Sequence, residues 1–237
     1  MKALVTGASS GIGRDIAIYL GKLGYDLILV SRDENRLKET ASKIDTNVEI
    51  CPMDLTGRDN CFKLYDKYKD VEIDVLVNNA GFGLFGNTWE TDINKEMKMI
   101  DLNITAVHIL TKLFLQGMVK RDKGRILNVA SVAGLLVGPT LNTYYATKNY
   151  VTKWTLGVYE ELKQEAITRV YNAYPMLEGK KLVLYAPTFR GANQAQMHMN
   201  IPFDLNQVLT CLDENTVFGL KMHPFIKDLP DLSGYDN

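Results

Sequence analysis

Short, almost uninterrupted apolar runs alternate with longer helical patterns along residues 1–165, and this alternation restricts the fold more than any other feature. The runs are Ala3-Leu4-Val5, Leu27-Ile28-Leu29-Val30, Val48-Glu49-Ile50-Cys51, Ile73-Asp74-Val75-Leu76-Val77 and Arg125-Ile126-Leu127-Asn128-Val129. Strands apolar at successive positions are covered on both faces, which is the habit of parallel sheets. Helical patterns fill the intervals: Ile16, Ala17, Leu20 and Leu23 share one face, and a charged helix follows from Asp33. Right-handed crossovers then lead to an α/β fold, a Rossmann-like doubly wound parallel sheet with helices on both faces. The 237 residues suit one large α/β domain or one and a half small ones.

The formal net charge of −1 offers no electrostatic case for nucleic acid or an anionic membrane as partner. No uninterrupted apolar run approaches the roughly 20 residues that span a bilayer. Met1 to Val5 enters a strand without a signal-peptide core, so a cytoplasmic location is expected. Cys51, Cys61 and Cys211 lack metal or redox spacing and read as reduced thiols. Three histidines, His108, His198 and His223, make a zinc centre improbable, and no metal is expected.

Thr6-Gly7-Ala8-Ser9-Ser10-Gly11-Ile12-Gly13 lies between the first strand and the first helix. Glycines there permit a tight turn and a close backbone approach to a pyrophosphate, which the helix N-terminus attracts. The second strand ends in Val30-Ser31-Arg32-Asp33. A carboxylate at this point bonds the ribose 2′-OH of NAD, and an arginine pairs with the 2′-phosphate of NADP. Asp33 lies about 20 residues past the glycines, the usual distance for the NAD acid, but it also stands where the next helix needs an N-cap. Ser31 and Arg32 are nearer the strand tip, so NADP(H) is the expected cofactor. Met53-Asp54-Leu55-Thr56 and Asn78-Asn79-Ala80-Gly81 follow the third and fourth strands, where ligands of such sheets bind.

Tyr144-Tyr145-Ala146-Thr147-Lys148 places Tyr144 and Lys148 four apart on one helix face. A phenol ionises at about pH 10, and a neighbouring ammonium favours the phenolate. Such a pair can exchange a proton with a carbonyl or alcohol oxygen while hydride moves to or from a nicotinamide. Tyr145 has the wrong spacing and reads as packing. Ser131, at the end of the fifth strand, is placed to bond a substrate oxygen. Asn103 is a polar residue in the otherwise apolar helix Asp101 to Phe114, and His108 on that helix reads as structural.

The Thr-Gly-x-x-x-Gly-x-Gly turn, the Asn-Asn-Ala-Gly run and the Tyr-x-x-x-Lys pair, in that order, make residues 1 to about 165 resemble a classical short-chain dehydrogenase/reductase. The resemblance implies that Asn103, Ser131, Tyr144 and Lys148 match the family's catalytic tetrad. Lys148 would also bind the nicotinamide ribose, and Asn103 would hold a water in a proton relay. It implies cofactor contacts from Gly7, Ser9, Ser10, Gly11, Ile12, Gly13, Arg32, Asp54, Leu55, Asn78, Asn79, Ala80 and Gly81, with Arg32 marking NADP preference. Family members commonly form dimers or tetramers, so a homodimer or homotetramer is an expectation too.

Residues 166–237 depart from that pattern. Ala166 to Pro175 reads as irregular, Leu182 to Tyr185 and Val217 to Leu220 as strands, Leu205 to Leu212 as a helix, and Gly191 to Asn200 as a polar loop. The segment Gly179 to Gly191, with Leu220-Lys221-Met222-His223-Pro224-Phe225, resembles part of a CDP-glycerol glycerophosphotransferase. The tail is expected to complete the main sheet, with Ala186-Pro187-Thr188 standing where the family has Pro-Gly. The alternatives are a small β-α-β unit of its own and a poorly ordered tail.

The leading function is NADP(H)-dependent oxidation or reduction of a small-molecule alcohol or carbonyl compound. The alternative is a dinucleotide-binding protein with impaired turnover, because the substrate-covering region is replaced. A polyol-phosphate transferase fragment using His223 is a remote third. Phe82, Leu84, Phe85, Leu135 and Leu136 point to an apolar wall for the substrate pocket.

Overall fold

The computed structural model describes residues 1–185, 205–213 and 215–220. The chain divides into two compact units, Met1–Glu160 and Glu161–Asn237.

In the first unit, β1 (Lys2–Thr6), β2 (Asp26–Ser31), β3 (Val48–Pro52), β4 (Val75–Asn78) and β5 (Arg125–Asn128) form one parallel sheet in the order β3-β2-β1-β4-β5. The connecting helices are α1 (Gly11–Lys22), α2 (Glu34–Ala41), α3 (Arg58–Tyr68), α4 (Ile93–Ile100) and α5 (Val107–Arg121). Strand pleating divides the core into two layers. Leu4, Ile28 and Leu76 pack with Leu64 of α3 and Phe114 of α5. Val5, Leu29 and Val77 pack on the other face with Ala17 of α1 and Leu37 of α2. Each such valine, leucine, isoleucine or phenylalanine side chain, fully buried, contributes about 1.5–3 kcal/mol relative to exposure. Two covered faces are what the consecutive apolar residues of β1, β2 and β4 require.

Between α4 and α5 the helix widens into a π turn at Asp101–Ala106, so Ile93–Arg121 is one helical run. By length and composition that run is apolar enough to cross a bilayer, contrary to the reading of uninterrupted apolar stretches. In this fold its Met99, Leu110, Phe114 and Met118 are buried, the last three of them in the core layer shared with α3. A helix averages its hydropathy over the interspersed polar residues, which a count of unbroken apolar residues does not do.

The sixth helix, α6 (Asn142–Ala173), runs past the point where irregular structure was expected. Tyr171 does not break a helix. Pro175 does, by disfavouring the helical conformation at Tyr174, and the α-helix stops just before it.

In the second unit, β6 (Lys181–Tyr185) and β7 (Thr216–Leu220) pair in parallel with each other, and α7 (Leu205–Thr210) lies between them in sequence. They form a two-stranded sheet of their own and not a continuation of the five-stranded one. This corrects the expected sheet completion in favour of a separate β-α-β unit. The expected strands and helix are present, but an apolar run carries no record of which strand it pairs with. Ala186-Pro187-Thr188, Gly191 to Asn200, His198 and His223 lie outside the described residues.

Candidate active site

In the five-stranded sheet, β1 is flanked by β2 on one side and β4 on the other, so successive crossovers leave it in opposite directions. Ligands of open α/β sheets bind outside the carboxyl ends of the strands at such a switch point. A cleft of about 420 Å³ opens there. Its wall takes Gly7, Ser9, Ser10 and Ile12 from the β1–α1 turn, Arg32 after β2, Asp54 and Leu55 after β3, Asn79, Ala80 and Gly81 after β4, and Tyr144 and Lys148 from α6.

The glycine turn is built by backbone demands. Gly7 (φ 66°) and Gly11 (φ 53°) adopt left-handed conformations that favour glycine. Gly13 is buried, and a Cβ there would sit 2.4 Å from the Gly7 carbonyl oxygen and 2.2 Å from Asn79 Nδ2. Asn79 locks the turn: its Nδ2 donates to the carbonyls of Thr6 (3.2 Å) and Gly7 (3.3 Å). Thr6 Oγ1 accepts from the N–H groups of Asn79 (3.0 Å) and Ala80 (3.1 Å). The N-terminus of α1 has no acidic residue in its first turn, and the Ser10 side chain makes no capping bond. The positive end of the helix dipole at the cleft is therefore not offset by a carboxylate of its own first turn.

At the tip of β2, Ser31 Oγ donates to Ser9 Oγ at 2.8 Å. Arg32 lines the cleft beside them and has no ion-pair partner among the described residues. Asp33 is occupied elsewhere. It N-caps α2 by accepting from Arg36 N at 3.0 Å, also pairs with the Arg36 guanidinium, and is absent from the cleft wall. Asp54 lines the cleft while its Oδ1 accepts from Thr56 N (3.0 Å) and Thr56 Oγ1 (2.9 Å), which fixes its loop.

Tyr144 and Lys148 share a face of α6, with Lys148 Nζ 5.9 Å from the centre of the Tyr144 ring. Lys148 is buried, and Nζ donates to the Val129 carbonyl at 2.8 Å. Burial pushes its ammonium below the usual lysine range. The Tyr144 ring lies against Gly83, where a Cβ would approach it to 3.3 Å. Tyr145 packs against Gly138 instead, in keeping with a packing role.

Several expected site residues stand behind the cleft surface. Asn78 is buried and turned toward its neighbours, donating to Thr111 Oγ1 (3.0 Å) and Asn128 Oδ1 (2.9 Å). Gly11 and Gly13 shape the turn without lining the cleft. Asn103 is buried in the π turn, a helix irregularity that recurs at functional sites. Its side chain accepts from Phe82 N (3.1 Å) and donates to the Phe82 carbonyl (2.9 Å). Ser131 N-caps the 3-10 turn Val132–Leu135, accepting from Ala133 N at 3.1 Å, next to the cleft-lining Ala130. His108 packs against Trp154 with ring centres 4.5 Å apart, and Nδ1 meets Tyr150 Oη at 2.7 Å. The cleft also takes Ser31 and Phe82, both noted in the sequence, and Val30, Met53, Gly83, Leu102, Val129 and Ala130, which the motifs do not single out. Most lie at or just beyond the carboxyl ends of strands, so the strand-end rule applied to every strand would have reached them.

The family model of short chain dehydrogenases matches residues 1–177. Residues 157–237 match part of the model of CDP-glycerol:poly(glycerophosphate) glycerophosphotransferases. The chain is 35% identical over 188 residues to the very-long-chain 3-oxoacyl-CoA reductase of Rattus norvegicus, covering 76% of this chain and 60% of that one. It thus spans about 60% of the length of the mammalian reductases it matches. Among solved structures, a short-chain dehydrogenase from Sphingobium yanoikuyae in complex with NADPH is 32% identical, with a TM-score of 0.66 over 70% of this chain and 66% of that one. One from Burkholderia phymatum in complex with NAD is 30% identical, with a TM-score of 0.65 over 69% and 60%.

Proposed function

The chain belongs to the short-chain dehydrogenase family, and from that premise we propose that it is an NADP(H)-dependent oxidoreductase acting on a carbonyl or alcohol compound. The observation that carries the proposal is the Tyr144–Lys148 face meeting, in one cleft, a glycine turn at an uncapped helix N-terminus. The residues fit a dinucleotide. A Cβ at Gly7 would come within 2.9 Å of the Ala80 Cα, so the narrow turn depends on bare backbone facing the cleft. The α1 N-terminus with Ser9 and Ser10 would hold the pyrophosphate, Asp54 and Leu55 the adenine, and Lys148 the nicotinamide ribose. When bound, the nicotinamide would give or take hydride at the substrate carbon.

The chain's own residues do the rest. Tyr144 Oη gives its proton to a carbonyl oxygen in reduction and takes one from a hydroxyl in oxidation. Lys148 is held on the same helix face by burial and by its bond to the Val129 carbonyl, with Nζ 5.9 Å from the centre of the Tyr144 ring. Ser131 and Asn103 complete the proposed catalytic set. On the substrate side, the loop bearing Phe82 and Phe85 is tied to the loop bearing Leu135 and Leu136 by a bond from Gly86 N to the Thr140 carbonyl (2.8 Å). Exposed apolar side chains on both loops support a substrate with an apolar body.

The cofactor choice rests on Arg32 and on the capping role of Asp33. Arg32→Ala is expected to weaken NADPH binding about tenfold or more and to leave NADH binding nearly unchanged, since charge-assisted bonds to a phosphate are lost. Asp33→Ala is expected to lower stability by about 1 kcal/mol through loss of the cap, with cofactor preference intact. Fluorescence titration with both nucleotides and urea unfolding check these outcomes. A preference for NADH in the unaltered protein would overturn the NADP assignment.

The separate sheet formed by β6 and β7 favours a second reading, in which the cofactor binds but turnover is impaired. NADPH consumption with a panel of ketones and aldehydes separates the two. Turnover supports the first reading. Binding without turnover across the panel supports the second.

A further inference from the structure

The helix that carries Tyr144 and Lys148 must be held at a fixed depth beside the cleft, and two adjacent residues of α6 do so. Lys148 reaches the end of β5 through the Val129 carbonyl. Thr147, also buried, reaches the loop after β4 by way of Asn103. Thr147 Oγ1 donates to the Tyr144 carbonyl at 2.7 Å, as helical threonines commonly do within their own turn. Its lone pairs remain free to accept, and Asn103 Nδ2 donates to one at 3.1 Å. The orientation of the amide is determined by chemistry: the Phe82 N–H can only donate and the Phe82 carbonyl can only accept. Both Nδ2 protons and one Oδ1 lone pair are thereby used. Gly81 makes this close approach possible, since a Cβ there would lie 2.9 Å from Asn103 Oδ1 and 3.6 Å from Lys148 Nζ.

We propose that Thr147 is a positioning residue whose hydroxyl fixes the Asn103 amide and, through it, staples the Gly81–Phe82 loop to the helix bearing Tyr144 and Lys148. The geometric part stands on these hydrogen bonds alone, and its kinetic consequence rests on the proposed hydride-transfer function. Valine at position 147 keeps the shape of threonine and removes the acceptor, leaving a buried Asn103 N–H without a partner. Serine keeps the hydroxyl.

The test is amide hydrogen exchange at Phe82 in the full chain, with the Val5 amide of β1 as an internal reference, in Thr147→Val, Thr147→Ala and Thr147→Ser. Exchange at Phe82 is expected to rise about tenfold in the valine and alanine variants, to stay near the unaltered rate in the serine variant, and to be unchanged at Val5 in all three. NADPH-dependent turnover is expected to fall by a similar factor in Thr147→Val with the NADPH dissociation constant unchanged, and to recover in Thr147→Ser. Unaltered Phe82 exchange in both variants that lack the hydroxyl would overturn the proposal, as would an equal rise at Val5. A protein that turns over no carbonyl compound would remove the functional reading while the exchange rates still decide the staple.

Discussion

Replacing Tyr144 with phenylalanine is expected to lower turnover by about 10²–10⁴-fold, the usual contribution of a positioned general acid or base. The substitution deletes one oxygen and keeps the ring that packs against Gly83. NADPH binding should hold, because the glycine turn, Arg32, Asp54 and Lys148 are untouched. Stability should change little, since the ring is only half-buried and no hydrogen bond to another described residue is lost. Steady-state kinetics beside a fluorescence titration separate these effects. Retained turnover would mean that another group handles the proton, and a loss of NADPH affinity equal to the loss of rate would mean that the phenol serves binding instead.

Gly13→Ala is expected to damage both stability and cofactor binding. The added Cβ would meet the Gly7 carbonyl oxygen at 2.4 Å, a distance that real Cβ contacts do not reach, and the obstacle is backbone. Relief requires α1 to move away from the turn or the turn to open. It would also push on Asn79 Nδ2, whose bonds to Thr6 and Gly7 hold β1 and β4 in line. Overpacking a well-filled site costs about 1–3 kcal/mol and occasionally more, and a backbone obstacle places this case at the upper end. Chemical denaturation should show the loss, and titration should show NADPH affinity falling with it. Gly157 in α6 is the matched control, because a Cβ there meets nothing within 4 Å among the described residues and alanine is the better helix former.

The parallel sheet could be read from the sequence because burial on both faces leaves an unmistakable pattern in β1, β2 and β4. The glycine turn and the Tyr144–Lys148 face were legible for a similar reason, since each depends on residues close in sequence. What escaped depends on partners distant in sequence. Nothing in Leu182 to Tyr185 distinguishes a sixth strand of the main sheet from a strand paired with Thr216–Leu220, because both are short apolar runs. The π turn at Asp101–Ala106 left no trace, as one widened turn scarcely disturbs a helical pattern. Asn78 and Asn103 were placed correctly at strand end and helix, but their side chains face inward, toward Thr111 and Asn128 and toward Phe82 and Thr147. Asp33 is the opposite case: its capping role was visible from its place before Glu34, and the geometry at Arg36 agrees.

The most direct measurement follows deuterium from NADPH labelled at C4 of the nicotinamide into the product of a ketone reduced by the protein, using both stereospecifically labelled forms. Label on the carbinol carbon from one form and not the other is the expected result, since a nicotinamide held in one cleft would offer the substrate a single face. Product without label from either form, or no product while NADPH binds, would contradict hydride transfer at the Tyr144–Lys148 face.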